Sequence, residues 1–230
     1  MHLRYFLILL LLSSACSGEE SRKQERRKPL DQSTTPTRSS EEPFDLKVKK
    51  YEDPTRQSWQ DPQLVLDGLG DLNGKVIADI GSGTGYFTFQ LANGASKVIA
   101  IDVEKRFLDY IEDRKFELSN TDIANKIETR LTQPNDPSLS EGEVDKVLIV
   151  NSYTYIPNRS DYLAKLRNGL KSGGQLLIVD YRLGDLPVGP DNSQKLSAKQ
   201  VMTELENASF KSVRVDSISL QYQYMITSIK

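Results

Sequence analysis

The stretch VIADIGSGTGYFTFQLA, Val76 to Ala92, constrains this chain more than any other. A β-branched apolar run ends in three glycines at alternate positions, Gly81, Gly83 and Gly85, and passes directly into an amphipathic segment. Strand, tight turn and helix in that order open a crossover unit, and crossover units build parallel sheets with helices on both faces. The rest of the chain keeps the alternation. KVIADI is a buried strand, and Thr84 to Ala92 is predicted as a helix closed by Asn93-Gly94. KVIAID (Lys97 to Asp102), KIETRL, VDKVLIV (Val144 to Val150) and QLLIVDY are the next strands. Between them, Phe107, Leu108, Ile111 and Leu118 mark one helical stripe. Leu163, Leu166 and Leu170 mark another, predicted to end at Ser172-Gly173-Gly174, and Val201, Met202, Leu205 and Ala208 a third. SVRVDSIS and YQYMITSI alternate with period two and are predicted to pair as an antiparallel hairpin.

A glycine loop in this context holds a nucleotide-like ligand, and its details separate two classes. A dinucleotide site requires G-x-G-x-x-G/A, so that backbone can approach a pyrophosphate at the helix N-terminus. Here the third glycine falls one residue early and Tyr86 occupies the sixth position. Asp79, two residues before the first glycine, would repel a pyrophosphate and attract an ammonium or sulfonium. S-adenosylmethionine carries both and has no phosphate. Asp102 ends the second strand about 20 residues after the loop, where a carboxylate can accept ribose hydroxyls. Taken singly, the glycines are only a tight turn and Asp102 only a helix cap. Their order and spacing favour S-adenosylmethionine over a dinucleotide.

Four segments, VIADIGSGTGYFTFQLA, VIAIDVEKRFLDYIE, VDKVLIVNSYTYI and LKSGGQLLIVDYR, occur in the order of the motifs of class I S-adenosylmethionine-dependent methyltransferases, which this chain resembles from about Tyr51 onward. The resemblance extends to bacterial methyltransferase-domain proteins with export signals, through the leader YEDPTRQSWQDP and Gly189-Pro190. It implies a Rossmann-like seven-stranded α/β sheet, mostly parallel, with the last strand antiparallel. It also implies that Asp79 and the loop Gly81, Ser82, Gly83 and Gly85 hold the methionine end, that Asp102 and Val103 hold the ribose, and that Leu131, Thr132 and Gln133 face the adenine. That branch commonly carries a pair of histidines after the tyrosine of strand four and another after the Gly-Pro element. Here those places hold Thr154, Tyr155 and Gln194.

Methyl transfer is an in-line displacement from an already activated sulfonium, so the protein mainly aligns the acceptor and excludes water. Acceptor-side candidates lie at the C-terminal ends of strands four and five, where open α/β sheets bind ligands. They are Asn151, Ser152, Tyr153 and Tyr155, with Asp180, Tyr181 and Arg182. Arg56 and Trp59 in the leader are candidates for a lid, against the plainer reading of Trp59 as a packing anchor. Asn151, Tyr153 and Tyr155 are the candidate catalytic residues. Asn151-Ser152-Tyr153-Thr154 lacks the prolines of base-methylating relatives, and no cluster with metal-ligand spacing is present. The net charge of −2 gives no basic footprint for nucleic acid, so the expected acceptor is a small molecule.

The N-terminus carries a different message. MHLRYFLILLLLSSAC has a positive start, a short apolar run and small residues, the pattern of a secretory signal. Cys16, the sole cysteine, follows Ser13-Ser14-Ala15 and resembles the lipidated cysteine of bacterial lipoproteins, although Ser13 stands where Leu is usual. The plainer alternative is an ordinary cleaved signal. Residues 1–16 therefore read as signal, 17–43 as a polar tether with too few apolar residues for a core, and 44–230 as the folded domain. The chain is expected to be exported and held at a membrane through Cys16. Its sole histidine, His2, lies inside the signal, so the processed chain has no histidine base. Export away from the cytosol, where S-adenosylmethionine is made, keeps a second reading open: a non-catalytic binding protein on the same fold.

Overall fold

The computed structural model describes residues 42–230. The predicted signal, Cys16 and nearly all of the predicted tether lie outside the described residues. Three short leader helices come first: α1 (Phe44–Tyr51), α2 (Arg56–Gln60) and α3 (Pro62–Leu69). Pro62 opens α3, where its missing N–H costs nothing, and the Asp61 carboxylate accepts from Leu64 N at 3.3 Å.

The strands are β1 (Val76–Ile80), β2 (Lys97–Asp102), β3 (Ile127–Leu131), β4 (Val144–Val150), β5 (Leu170–Tyr181), β6 (Lys211–Asp216) and β7 (Gln223–Ile229). They form one seven-stranded sheet in the order β3-β2-β1-β4-β5-β7-β6. The pairs among β1 to β5 are parallel, and β7 runs antiparallel to both β5 and β6. The expected sheet and C-terminal hairpin are therefore present. Chain order reverses between β1 and β4, the switch point where a crevice opens at the C-terminal strand ends.

Alternating strand residues feed two cores. On one face Ala78, Ile99, Val147, Ile149 and Ile178 pack under α7 (Arg159–Gly169) and α8 (Ala198–Asn207), through Leu163, Leu166, Val201 and Leu205. On the other face Ile77, Val98, Leu148, Leu177 and Val179 meet α3, α4 (Tyr86–Gly94) and α5 (Lys105–Glu117), through Leu69, Leu91, Leu108 and Ile111. A short helix, α6 (Thr121–Asn125), precedes β3.

Two boundaries differ from the sequence reading. The third glycine, Gly85, is the N-cap of α4, which starts at Tyr86 rather than Thr84. Ser172-Gly173-Gly174 does not end a helix: α7 stops at Gly169, and the glycines lie inside β5, beside a register shift against Val144 and Lys146. Gly173 has φ +72°, a left-handed turn that serves a strand irregularity as readily as a helix stop.

Candidate active site

At the switch point the C-terminal ends of β1, β2, β4 and β5 open into a cavity of about 770 Å³. That is within the roughly 300–1,000 Å³ of small-ligand pockets. The loop after β1 forms its floor. Gly81, Gly83 and Gly85 have φ of +69°, +51° and +80°. A Cβ on Gly81 would lie 2.2 Å from Ser152 Oγ, so the loop passes β4 only because it has no side chain there. Gly81 N and Ser82 N donate to Ile101 O at 2.8 and 3.1 Å, tying the loop to β2.

Three carboxylates stand near strand ends. Asp79 is buried, and its Oδ2 accepts from Thr88 Oγ1 at 2.6 Å while Oδ1 takes no partner among the described residues. Burial pushes its pKa up to about 6, against the Thr88 hydrogen bond. Asp102 accepts from Gly83 N and Glu104 N, both at 2.9 Å, one on each oxygen. Burial raises its pKa as well. Each oxygen of such a carboxylate keeps acceptor capacity for a ligand hydroxyl. Asp180 is buried at the end of β5; its Oδ1 accepts from Tyr181 N at 2.8 Å, and its Oδ2 is sealed without a partner. Its pKa is also pushed up to about 6 by burial. Ser82 Oγ, Thr84 Oγ1 and Tyr86 OH, all at the wall, are likewise buried and unpartnered. This much unused hydrogen-bonding capacity is rare in an apolar interior and marks a ligand site.

The leader makes the opposite wall. Tyr51 and Phe44 pack on Phe107 with ring centroids 5.4 and 5.0 Å apart, and ion pairs Lys47–Glu104 and Arg114–Glu52 close at 2.9 and 3.0 Å. The Arg56 guanidinium stacks 4.2 Å from the Tyr86 ring centroid. Trp59 packs 5.9 Å from Tyr181 and also lines the cavity, so it is both anchor and wall. Pro187, Val188 and Gly189 cover the acceptor side, where a Cβ on Gly189 would lie 2.7 Å from the Tyr181 ring.

The cavity thus gathers Asp79, Gly81, Ser82, Gly83, Asp102, Val103, Thr132, Asn151, Tyr155, Asp180, Tyr181, Arg56 and Trp59 from the residues singled out in the sequence. Gly85 caps α4 behind it. Three other expectations need correction. Tyr153 is fully buried and points away: its hydroxyl donates to Glu204 Oε2 at 2.8 Å, beneath Arg159, and burial raises its pKa. It is a packing residue between β4 and α8. Arg182 donates to the carbonyls of Ser217 and Gln221 and holds that loop, outside the cavity. Of the turn after β3, Thr132 lines the cavity, while Leu131 and Gln133 face outward. Thr154 and Gln194, at the positions of the family's histidines, do meet: Thr154 Oγ1 donates to Gln194 O at 2.8 Å. Sequence reading missed Gln60 and Gln223, both fully buried beside the site.

Sheet order, glycine loop and paired carboxylates at β1 and β2 define a class I S-adenosylmethionine-dependent methyltransferase. The chain belongs to the methyltransferase domain family, whose model matches residues 71–227. It is 31% identical to a tRNA U34 carboxymethyltransferase of Proteus mirabilis over 188 residues, 75% of this chain and 56% of that one. The chain spans about half the length of the curated relatives it matches. Its fold is similar to that of an S-adenosylmethionine-dependent methyltransferase from Aquifex aeolicus, with TM-score 0.71 and 24% identity, covering 80% of this chain and 97% of the other. A Haemonchus contortus phosphoethanolamine N-methyltransferase, in complex with S-adenosylmethionine, has TM-score 0.62 and 14% identity over 75% of this chain and 52% of its own.

S-adenosylmethionine is the cofactor, and the residues present fit it. Asp79, with Oδ1 free, would hold the ammonium, Asp102 would accept from the ribose diol, and the orphaned loop hydroxyls would offer further hydrogen bonds. When bound, it supplies a methyl group on a good leaving group.

Proposed function

We propose that this chain is a methyltransferase for a small acceptor, exported and held at a membrane through Cys16. The observation that carries the acceptor reading is the walled cavity: the leader and the 187–190 segment leave a pocket of small-molecule size above the cofactor residues. Aligning the acceptor against the sulfonium and keeping water out is most of what the reaction needs. Asp180 is the group fitted to take a proton, because a carboxyl near pKa 6 ionises close to neutral pH. Tyr155, half-exposed at the mouth, is a hydrogen-bonding partner for the acceptor.

The relatives named for tRNA U34 offer a second acceptor class. Two observations favour the small molecule. Net charge is −2, and the wall carries more carboxylates (Asp53, Asp79, Asp102, Glu104, Asp180) than cations (Lys47, Lys50, Arg56).

Calorimetric titration of S-adenosylmethionine and S-adenosylhomocysteine into the full chain tests the reading. Binding is expected, and Asp102→Ala should weaken it by about tenfold or more, the scale of a charged hydrogen bond. Release of S-adenosylhomocysteine is then assayed across a panel of small amines, phenols and carboxylates, with tRNA alongside. No binding to folded protein turns the assignment to the non-catalytic reading, and turnover with tRNA alone overturns the small acceptor.

A further inference from the structure

Exposed large apolar side chains are not spread evenly over this molecule. Strands β1 to β5 run parallel, and β6 runs with them, because β7 is antiparallel to both of its neighbours. The C-terminal ends of these strands therefore all point the same way. Leu131 ends β3, Val103 follows β2, Tyr155 lies beyond β4, Leu183 beyond β5 and Ile218 beyond β6, and every one of them is exposed. Over the end of β1 lies the leader: Tyr51, exposed as well, sits so close that a Cβ on Gly83 would be 3.2 Å from its ring. β7 starts at this end, and Tyr222, just before it, packs 6.5 Å from Trp59. Each strand thus brings an apolar or aromatic side chain to one row, in sheet order, with about 4.8 Å between neighbouring strands. Leu46, exposed on α1, stands beside the row next to the Lys47–Glu104 ion pair. Among the described residues the only other exposed large apolar side chains are Val215, inside β6, and Phe116. Phe116 marks the opposite end of the sheet, since α5 returns there and Lys115 Nζ donates to Ile127 O at the start of β3.

Two members of the row are held outward by dedicated bonds. Asp216 Oδ1 accepts from Ile218 N and Ser219 N at 2.8 and 2.9 Å, and the turn so fixed leaves Ile218 92% exposed. Arg182 donates to the carbonyls of Ser217 and Gln221, which ties that turn to the strand end carrying Leu183. Scattered surface apolar residues need no explanation, but an aligned row of them marks a surface that something covers. The row runs directly into the cavity, whose lining includes Tyr51, Val103, Tyr155, Pro187 and Val188.

We propose that this row is the face the chain lays on a lipid bilayer, so that the cavity mouth opens toward the membrane rather than toward bulk water. The inference rests on the reading that the chain is held at a membrane. Two observations choose a bilayer as the occupant. The residues that precede the domain join it at α1, beside the row, so an anchor at Cys16 is connected to this end of the sheet and not to the other. Trp59, Tyr155 and Tyr222 stand within the row, and such rings, apolar with a polar tip, settle at the boundary between headgroups and acyl chains. Asp185 and Asp216 flank Leu183 and Ile218, so the contact is apolar and suits neutral headgroups.

Trp59 is the only tryptophan of the chain, which makes its fluorescence a direct probe of the row. A face seated about 5–10 Å into the interface brings it within reach of bromine atoms high on the acyl chains. The full chain is bound to phosphatidylcholine vesicles with plain or brominated acyl chains, and its emission is read beside co-sedimentation with the vesicles. Wild type is expected to co-sediment and to be quenched by the brominated lipid. Leu183→Asp with Ile218→Asp, both exposed and outside the core, should lose the quenching while the chain still co-sediments. Phe116→Asp, at the opposite end, should be quenched like wild type. Wild type that co-sediments without quenching, or a double variant quenched as strongly as wild type, overturns the docking face and leaves the anchor standing. Wild type that neither co-sediments nor is quenched sinks the membrane reading and the docking face together. A dimer in sedimentation without vesicles that the double variant dissolves assigns the row to a second copy of the chain and overturns the bilayer.

Discussion

Asp79 and Asp180 are carboxyls whose folded pKa, about 6, lies well above the ordinary 3.8. Between about pH 4 and 6 the folded chain therefore holds more protons than the unfolded one, so stability falls as pH rises through that window. Glu104, Glu128 and Asp145 are shifted the other way, held down by Lys47, Lys97 and Lys171 among others, and their contribution is lost only as pH drops through their lowered values. Ligand-free protein is thus expected to unfold at a higher temperature at pH 5 than at pH 7, and Asp79→Asn with Asp180→Asn should flatten the difference. Cofactor affinity should move oppositely. Asp79 must be ionised to hold an ammonium, so binding weakens below about pH 6 in wild type and is pH-independent through this range in Asp79→Asn. Paired calorimetry and thermal melts at the two pH values check both signs. Asp79 and Asp102 were legible in the sequence because spacing from a glycine loop places them. Tyr153 was not: two residues after Asn151, it is turned by one short helical turn toward Glu204 instead of the cavity. Gln60 and Gln223 carry no local signal, since their burial comes from a contact across 163 residues.

The leader helices separate stability from binding. None of the residues of α1 is buried, yet Lys47, Lys50 and Tyr51 line the cavity. Removing residues 44–51 should therefore lower the melting temperature only slightly while costing much of the cofactor affinity. An equal loss in both, measured by melts and calorimetry, would show that α1 is part of the core instead. At this scale the sequence predicted every strand and the order of the crossover helices, because β-branched runs and 3.6-residue stripes are strong signals. It failed at Ser172-Gly173-Gly174, where a left-handed glycine looks alike in a helix stop and in a strand irregularity. It read the leader only as a possible lid, since whether Trp59 packs or lines a wall depends on Tyr181, far away in the chain.

For the whole chain, location and chemistry are separate questions carried by separate segments. Cys16→Ser is expected to move the protein from the membrane to the soluble fraction without changing its affinity for S-adenosylmethionine. Cell fractionation beside titration checks the pair, and a variant that stays with the membrane sinks the lipid anchor. The placing of β7 has a consequence of its own. The last strand of this sheet in chain order does not sit at a sheet edge; it is wedged between β5 and β6, and its first residue, Gln223, donates to Asn151. A nascent chain that has emerged only as far as β6 has five parallel strands, an open edge on β5 and an unsupported Asn151. Until residues 223–229 arrive, the polypeptide has neither a complete sheet nor a finished pocket, so the site is among the last parts of the fold to be completed.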